Sequence, residues 1–355
     1  MRIPWAVPNI TPLDIEQLQD TLETGWYSMG EKVEQFEKKL ADYLDIKHAV
    51  AVNNGTSALE VMFRSMNIGY GDEVIVPAFS YIASATAVNL VGATPVFIDV
   101  DKTHTIDTEQ IDYLVTDKTK GVLAVDIGGN PCNYDLLTEK CEEHDIKLLV
   151  DGAQSLGSRY HNKPCISYGY AGTTSFHSAK ILSTVEGGMI FTDDTILADK
   201  MKAIRNQGET KEKYIHPYLG GNYRMTDITA SLGLGQLSRY HTTLRDRTEL
   251  VKHYRQKLKD MVMYPEPQQH GTSCNYIFSI LYKNCGELAE YLEQMGVETR
   301  RFFPRPIPSQ PIYNIDKVFP MSEWICNRNL SLPLFTGLDF ESIDYICDLI
   351  RRYIE

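Results

Sequence analysis

Nowhere in its 355 residues does the chain hold an apolar run near the roughly 20 residues that a bilayer-spanning helix needs. Nor does the opening MRIPWAVPNITPLD place a cationic stretch before an apolar core. No export signal is expected, and the cytoplasm is the expected compartment. The seven cysteines are odd in number and scattered, with no C-x-x-C, and no H-E-x-x-H occurs among the nine histidines. Reduced, mostly buried thiols and no metal site are the expectation. Basic residues are in deficit: 35 Lys and Arg against 47 Asp and Glu give a net charge of −12. That deficit argues against a nucleic-acid partner and against an anionic membrane surface. Phosphate-binding signatures of two large classes are missing as well. There is no G-x-x-x-x-G-K-[ST], and HAVAVNNGTSAL lacks the G-x-G-x-x-G that a dinucleotide enzyme carries after its first strand. Gly233-Leu234-Gly235 falls inside a helical stretch, so close helix packing accounts for it better.

What is present reads as an ordinary globular chain, 43% apolar and 23% charged. Thr11-Pro12-Leu13-Asp14 carries a helix start, with a hydroxyl at the N-cap, proline at N1 and a carboxylate at N3. A second helix is expected over 31–43, where Val33, Phe36, Leu40 and Tyr43 recur at helical spacing. Short apolar strands follow at 48–52, 74–77, 95–100, 121–127, 147–150, 173–176 and 187–192. Helical stretches at 57–66, 81–90, 108–114, 134–144 and 197–204 alternate with them. This pattern predicts an α/β fold with a parallel or mixed sheet covered by helices on both faces. The polar segment 206–223 reads as a long functional or interfacial loop. A continuous helix over 226–258 then reads as a spine to a small α+β unit, with strand 276–282, helix 287–295, a Pro-rich loop at 304–311 and a last helix from 340. The expected division is a large domain, 1–240, and a small one, 241–355.

Three local features could carry chemistry. NNGTSAL, residues 53–59, opens a helix directly after a strand, so its free N–H groups suit a phosphate, although plain N-capping explains the same residues. Asp151, in VDGAQ, leaves a strand at the sheet edge where ligands of such folds gather. It suits a helix cap, a ribose or metal ligand, or the counterion of a cationic ring. Lys180, in SFHSAK, follows a buried strand among small residues and suits a Schiff-base nucleophile as well as a solvated loop. His177 is open to either a structural or a catalytic reading. Together, a phosphate cradle, a strand-end acid and a loop lysine are what pyridoxal phosphate requires.

With these motifs the chain resembles the DegT/DnrJ/EryC1/StrS sugar aminotransferases, fold-type-I pyridoxal-phosphate enzymes, from about Pro4 to the last helix. The resemblance implies a mixed, mainly parallel seven-stranded sheet with the cofactor at its carboxyl edge. It makes Gly55, Thr56 and Ser57 the phosphate turn, Ser175 a further phosphate ligand and Lys180 the imine-forming lysine. PAFSYIASA supplies Tyr81 as the aromatic stacked on the pyridine ring. Asp151 would pair with the ring nitrogen and Gln154 would sit near the ring hydroxyl. GGNYRMTDITASLGLGQL makes Asn222 a ligand to the phosphate of a neighbouring subunit, so the site would be shared across a homodimer.

The implied reaction moves an amino group from an amino acid, L-glutamate by resemblance, to a keto sugar carried on a nucleotide diphosphate. Members that dehydrate instead carry histidine at the lysine position, and this chain has Lys180. SFHSAK followed by VEGG is most like members acting on 4-keto sugars, including those making perosamine and pseudaminic-acid precursors; the 3-keto members form the alternative. Two departures bear on the substrate. The family's H-L-Y-G reads Asp126-Ile127-Gly128-Gly129, and its histidine-bearing loop reads Phe302-Phe303-Pro304-Arg305-Pro306-Ile307-Pro308. Arg301 or Arg305 could meet a diphosphate there; His177 and Glu186 are left without a role.

Overall fold

A computed structural model describes residues 2–355. Two helices, α1 (Pro12–Glu23) and α2 (Glu31–Leu44), precede the sheet. The Thr11 signal works as expected, since Asp14 Oδ2 accepts the Thr11 N–H at 2.7 Å. Along α2, Val33, Phe36, Leu40 and Leu44 bury one face. Gly233 lets that face come close, because a Cβ there would stand 2.5 Å from the Phe36 ring.

The sheet alternates with helices through β1 (His48–Val52), α3 (Gly55–Ser65), β2 (Glu73–Pro77), α4 (Ala83–Leu90), β3 (Thr94–Ile98), β4 (Thr119–Val125), α5 (Tyr134–Glu143) and β5 (Lys147–Asp151). Two short strands, β6 (Arg159–Tyr160) and β7 (Lys163–Pro164), form a hairpin before β8 (Ala171–Ser175), β9 (Gly188–Thr192) and α6 (Thr195–Arg205). Seven strands pair in the order β1-β9-β8-β5-β4-β2-β3. Only β9 runs against the rest, being antiparallel to both β1 and β8. The mixed, mainly parallel sheet is therefore present. Its nearly continuous burial reflects cover on both faces.

After residue 205 the sequence reading needs correction. The expected continuous spine is two helices, α7 (Asp227–Ser238) and α8 (Tyr240–Lys257), broken at Arg239. The guanidinium of Arg239 donates to both Asp14 oxygens, at 2.8 and 2.6 Å, and to Asn9 O at 2.7 Å, which ties the break to α1. Residues 108–113 form a 3-10 helix. The segment 206–223 is irregular but anchored, with a bridge between Asn206 and Asn222 and a Gln207 N–H to Gly221 O bond of 2.9 Å.

Beyond it come β10 (Gly271–Thr272), β11 (Phe278–Leu281), α9 (Cys285–Gln294), α10 (Pro320–Cys326), β12 (Asn329–Leu332) and α11 (Phe340–Ile354). Helix α10 was not legible in the sequence. Buried Asp99, from the end of β3, accepts the Met321 and Ser322 N–H groups at 2.9 Å and so caps it. A separate apolar cluster joins α8, α9, α11, β11 and β12, with Ile3 from the N-terminal segment. Ile307, Phe319 and Ile325 instead pack into the cluster around the large sheet. All seven cysteines are buried and unbridged. Among the described residues no helix is long and apolar enough to cross a membrane.

Candidate active site

Because β1, β2, β5 and β8 run the same way, their carboxyl ends share one edge of the sheet. All the sequence-selected motifs up to Lys180 leave that edge. After β1, Asn54 is the extended N-cap of α3, and its Oδ1 accepts the Ser57 N–H at 2.8 Å. Capping and a phosphate turn are thus compatible, since the first N–H groups of the helix remain outward. Glycine is required at 55: a Cβ there would stand 2.8 Å from the Cβ of Ser175 at the end of β8. The close approach puts the Ser175 hydroxyl beside the helix tip, with Thr56 partly exposed and Ser57 buried.

Asp151 ends β5 and is 5% exposed. Its Oδ2 accepts the Ser84 hydroxyl at 2.7 Å and its Oδ1 accepts the Ala153 N–H at 3.1 Å. Burial pushes its pKa upward, opposed by those two bonds and by the charge of Lys180. Sequence reasoning overlooked Ser84, although it stands three residues after Tyr81, in the first turn of α4.

Lys180 is half-buried and lies 4.6 Å over the ring of Tyr276, itself buried at the start of the C-terminal region. Burial lowers its pKa from 10.5 to about 8, against the upward pull of Asp151 and Cys274. That leaves roughly a tenth of the amine neutral at pH 7, the form a nucleophile needs, against a vanishing fraction at the ordinary value. Tyr276 was missed because its distance in sequence, across three helices, leaves no local signal.

The other selected residues are placed as follows. Tyr81 is 59% exposed and packs against Phe303, centroids 6.0 Å apart. Gln154 is buried, and its Oε1 accepts the Gly128 N–H at 2.8 Å, binding it to the Asp126–Gly129 turn. Asn222 is exposed, and the adjacent Tyr223 carbonyl accepts the Asn53 N–H at 2.8 Å. His177 and Glu186 approach one another to 3.8 Å on the exposed side of the lysine loop. Arg301 Nη2 donates to Cys326 O at 2.8 Å, while Arg305 is exposed.

A hydroxyl-lined helix tip, a deeply buried carboxylate and a lysine of lowered pKa fit the phosphate, ring nitrogen and aldehyde of pyridoxal phosphate. The sequence pattern of the DegT/DnrJ/EryC1/StrS aminotransferase family matches residues 8–351. The chain belongs to that family. The GDP-perosamine synthase of Caulobacter vibrioides is 36% identical over 97% of this chain and 96% of its own. A dTDP-3-amino-3,6-dideoxy-alpha-D-galactopyranose transaminase of Aneurinibacillus thermoaerophilus is 32% identical over 96% and 95%. Among solved structures, a family member from Brucella abortus superposes with a TM-score of 0.92 at 31% identity, covering 96% and 95% of the two chains. A protein from Streptococcus pneumoniae, solved in its PLP form, gives 0.95 at 28% identity over 100% and 99%. As a member of the DegT/DnrJ/EryC1/StrS family, the protein is a pyridoxal-phosphate-dependent sugar aminotransferase.

Proposed function

We propose that the enzyme transfers the amino group of L-glutamate to C4 of a 4-keto-6-deoxy sugar carried on a nucleotide diphosphate. The observation that carries the reading is the meeting of the α3 tip, buried Asp151 and Lys180 at one sheet edge. Pyridoxal phosphate, when bound, supplies a carbonyl that takes up the donor nitrogen and a ring that withdraws electrons as a proton leaves. The residues of this chain do the rest. Gly55, Thr56, Ser57 and Ser175 bind the phosphate through N–H groups and hydroxyls. Asp151 holds a proton on the ring nitrogen, and the Ser84 hydroxyl and the Ala153 N–H favour its ionised form, opposing the upward push of burial. Tyr81 covers one ring face, and Gln154, held by Gly128, faces the ring hydroxyl. Lys180 Nζ anchors the cofactor and, once released, moves the proton between the donor carbon and the cofactor carbon. Its pKa of about 8 suits both directions of that transfer.

Asn222 completes the phosphate site of a partner subunit, and residues 241–355 act as a small domain beside 1–240. Reduced buried thiols suit a cytoplasmic setting. The C4 assignment is supported by SFHSAK with VEGG and by the perosamine synthases of Caulobacter vibrioides and Vibrio cholerae, 36% and 33% identical. The relative named for a 3-amino sugar favours the rival position. Incubating the holoenzyme and glutamate with GDP-, dTDP- and UDP-linked 4-keto and 3-keto sugars decides between them. Turnover confined to 3-keto sugars would move the reading to C3.

A further inference from the structure

The lysine loop, residues 177–187, has little support from outside itself. Among the described residues its hydrogen bonds run within the loop or to its own stem. Lys180 N–H meets His177 O at 2.8 Å, and Thr184 N–H meets Phe176 O at 2.9 Å. Two bonds are the exception. The Ser183 N–H donates to Gln236 Oε1 at 2.9 Å, and Gln236 Nε2 donates to Ser183 O at 2.6 Å. The Gln236 amide thus pairs with that peptide as a neighbouring strand would, and both residues are buried. No other partner among the described residues reaches either peptide group. A buried N–H or C=O is costly to leave unmet.

Gln236 lies on α7, which is itself fixed at both ends. At its start Asp227 accepts the Gly30 and Val33 N–H groups at 2.8 and 3.0 Å, from the head of α2. At its end Arg239 holds Asp14 of α1. Between them Gly233 and Gly235 lie where a Cβ would strike Phe36 and Asp14, so the helix is pressed close on that side. The loop, by contrast, has reasons to move. At pH 7 a Lys180 amine with a pKa of about 8 is mostly protonated and gains hydration by swinging outward. Val185, at φ +70°, relaxes if the loop opens.

On the basis of the proposed role of Lys180, we infer that Gln236 is a positioning residue of the reaction. Acting through the Ser183 peptide, it holds the lysine loop where Lys180 Nζ meets the cofactor aldehyde. In that step the neutral Nζ bonds to the aldehyde carbon, and the aldehyde oxygen leaves as water with the two amine protons. Gln236 touches neither group. Without it the loop relaxes outward, Lys180 returns toward its ordinary pKa, and the neutral amine becomes scarce. Asp151 and the α3 tip stand on other elements and keep their places.

Cofactor-free wild type and Gln236→Leu, each given two probes, provide the test. Pyridoxal phosphate is captured through its aldehyde; pyridoxamine phosphate has an amine there and needs no lysine. At pH 7 the variant should capture pyridoxal phosphate at least about tenfold more slowly, followed by imine absorbance, with the deficit shrinking toward pH 10.5. A full return of Lys180 from about 8 to 10.5 would remove about two orders of magnitude of neutral amine at pH 7. Affinity for pyridoxamine phosphate should change by less than about twofold. Equal losses toward both probes, or a deficit that does not vary with pH, overturn the positioning role. Hydrogen exchange on the wild type needs no variant to fold: the Ser183 amide should be protected, and exchange at the rate of a free loop amide overturns the pairing. A wild type that forms no imine ends the reading of Lys180 and this inference with it. An imine in the wild type beside equal losses in the variant ends this inference alone.

Discussion

Ser84 donates its hydroxyl to Oδ2 of Asp151 at 2.7 Å, with Ser80 a further 2.8 Å behind it. The bond joins the first turn of α4 to the end of β5 and opposes the upward push of burial on the Asp151 pKa. Ser84→Ala removes that opposition, so Asp151 gives up its proton at higher pH. The acid limb of the pH–rate profile should move upward, and pyridoxal phosphate should bind about tenfold more weakly. Titration of the apoenzyme and a pH–rate profile check both; an unmoved limb with unchanged affinity would remove Ser84 from the account.

Lys180 carries a consequence for stability. It holds its proton up to about 8 in the fold and to 10.5 in the unfolded chain. Between these values the unfolded state binds more protons, so the cofactor-free protein loses stability as pH falls through the window. The whole cost is present below about 8. Apo Lys180→Met should therefore exceed apo wild type by about 2–3 kcal/mol at pH 7, with the gain shrinking toward pH 10.5. Denaturant unfolding across that range measures it, and a pH-independent difference would contradict it.

Much of this site was legible because its parts are local. NNGTSAL, VDGAQ and SFHSAK each sit where a strand ends, and parallel strands bring their carboxyl ends to one edge whatever lies between. The helix periodicity of α2 and the Thr11 signal of α1 were equally self-contained. What escaped depends on distant partners. The break at Arg239 exists because Asp14, on α1, takes its guanidinium. Helix α10 exists because Asp99 caps it from more than two hundred residues away. Tyr276 reaches Lys180 through packing of the C-terminal region, which no window of sequence contains.

Val185 has φ of +70° in the lysine loop and is 59% exposed. For a β-branched residue that conformation costs about 1–2 kcal/mol, and burial there offers little in return. Val185→Gly relieves the strain but frees the unfolded chain, which returns about 0.5–1 kcal/mol. A rise of about 1–2 °C in the thermal midpoint should remain. Val185→Ala keeps a Cβ and should gain less. A lower midpoint for the glycine variant would contradict the strain.

Asn222 is exposed in the single chain, at the end of an anchored loop. If it serves a neighbouring site, Lys180→Ala and Asn222→Ala proteins should complement on mixing. Random exchange makes half the dimers mixed with one intact site each, which returns about a quarter of wild-type activity. Verified subunit exchange without a rise above either parent would confine the site to one chain.

Borohydride reduction of the wild-type holoenzyme, followed by peptide mapping, tests the central claim most directly. Lys180 alone combines a buried strand before it, a pKa of about 8 and Asp151 as the carboxylate acting on its charge. The reduced pyridoxyl group should therefore appear on Lys180 and on no other lysine. A label on any other lysine, or on none, would contradict the assignment of the site.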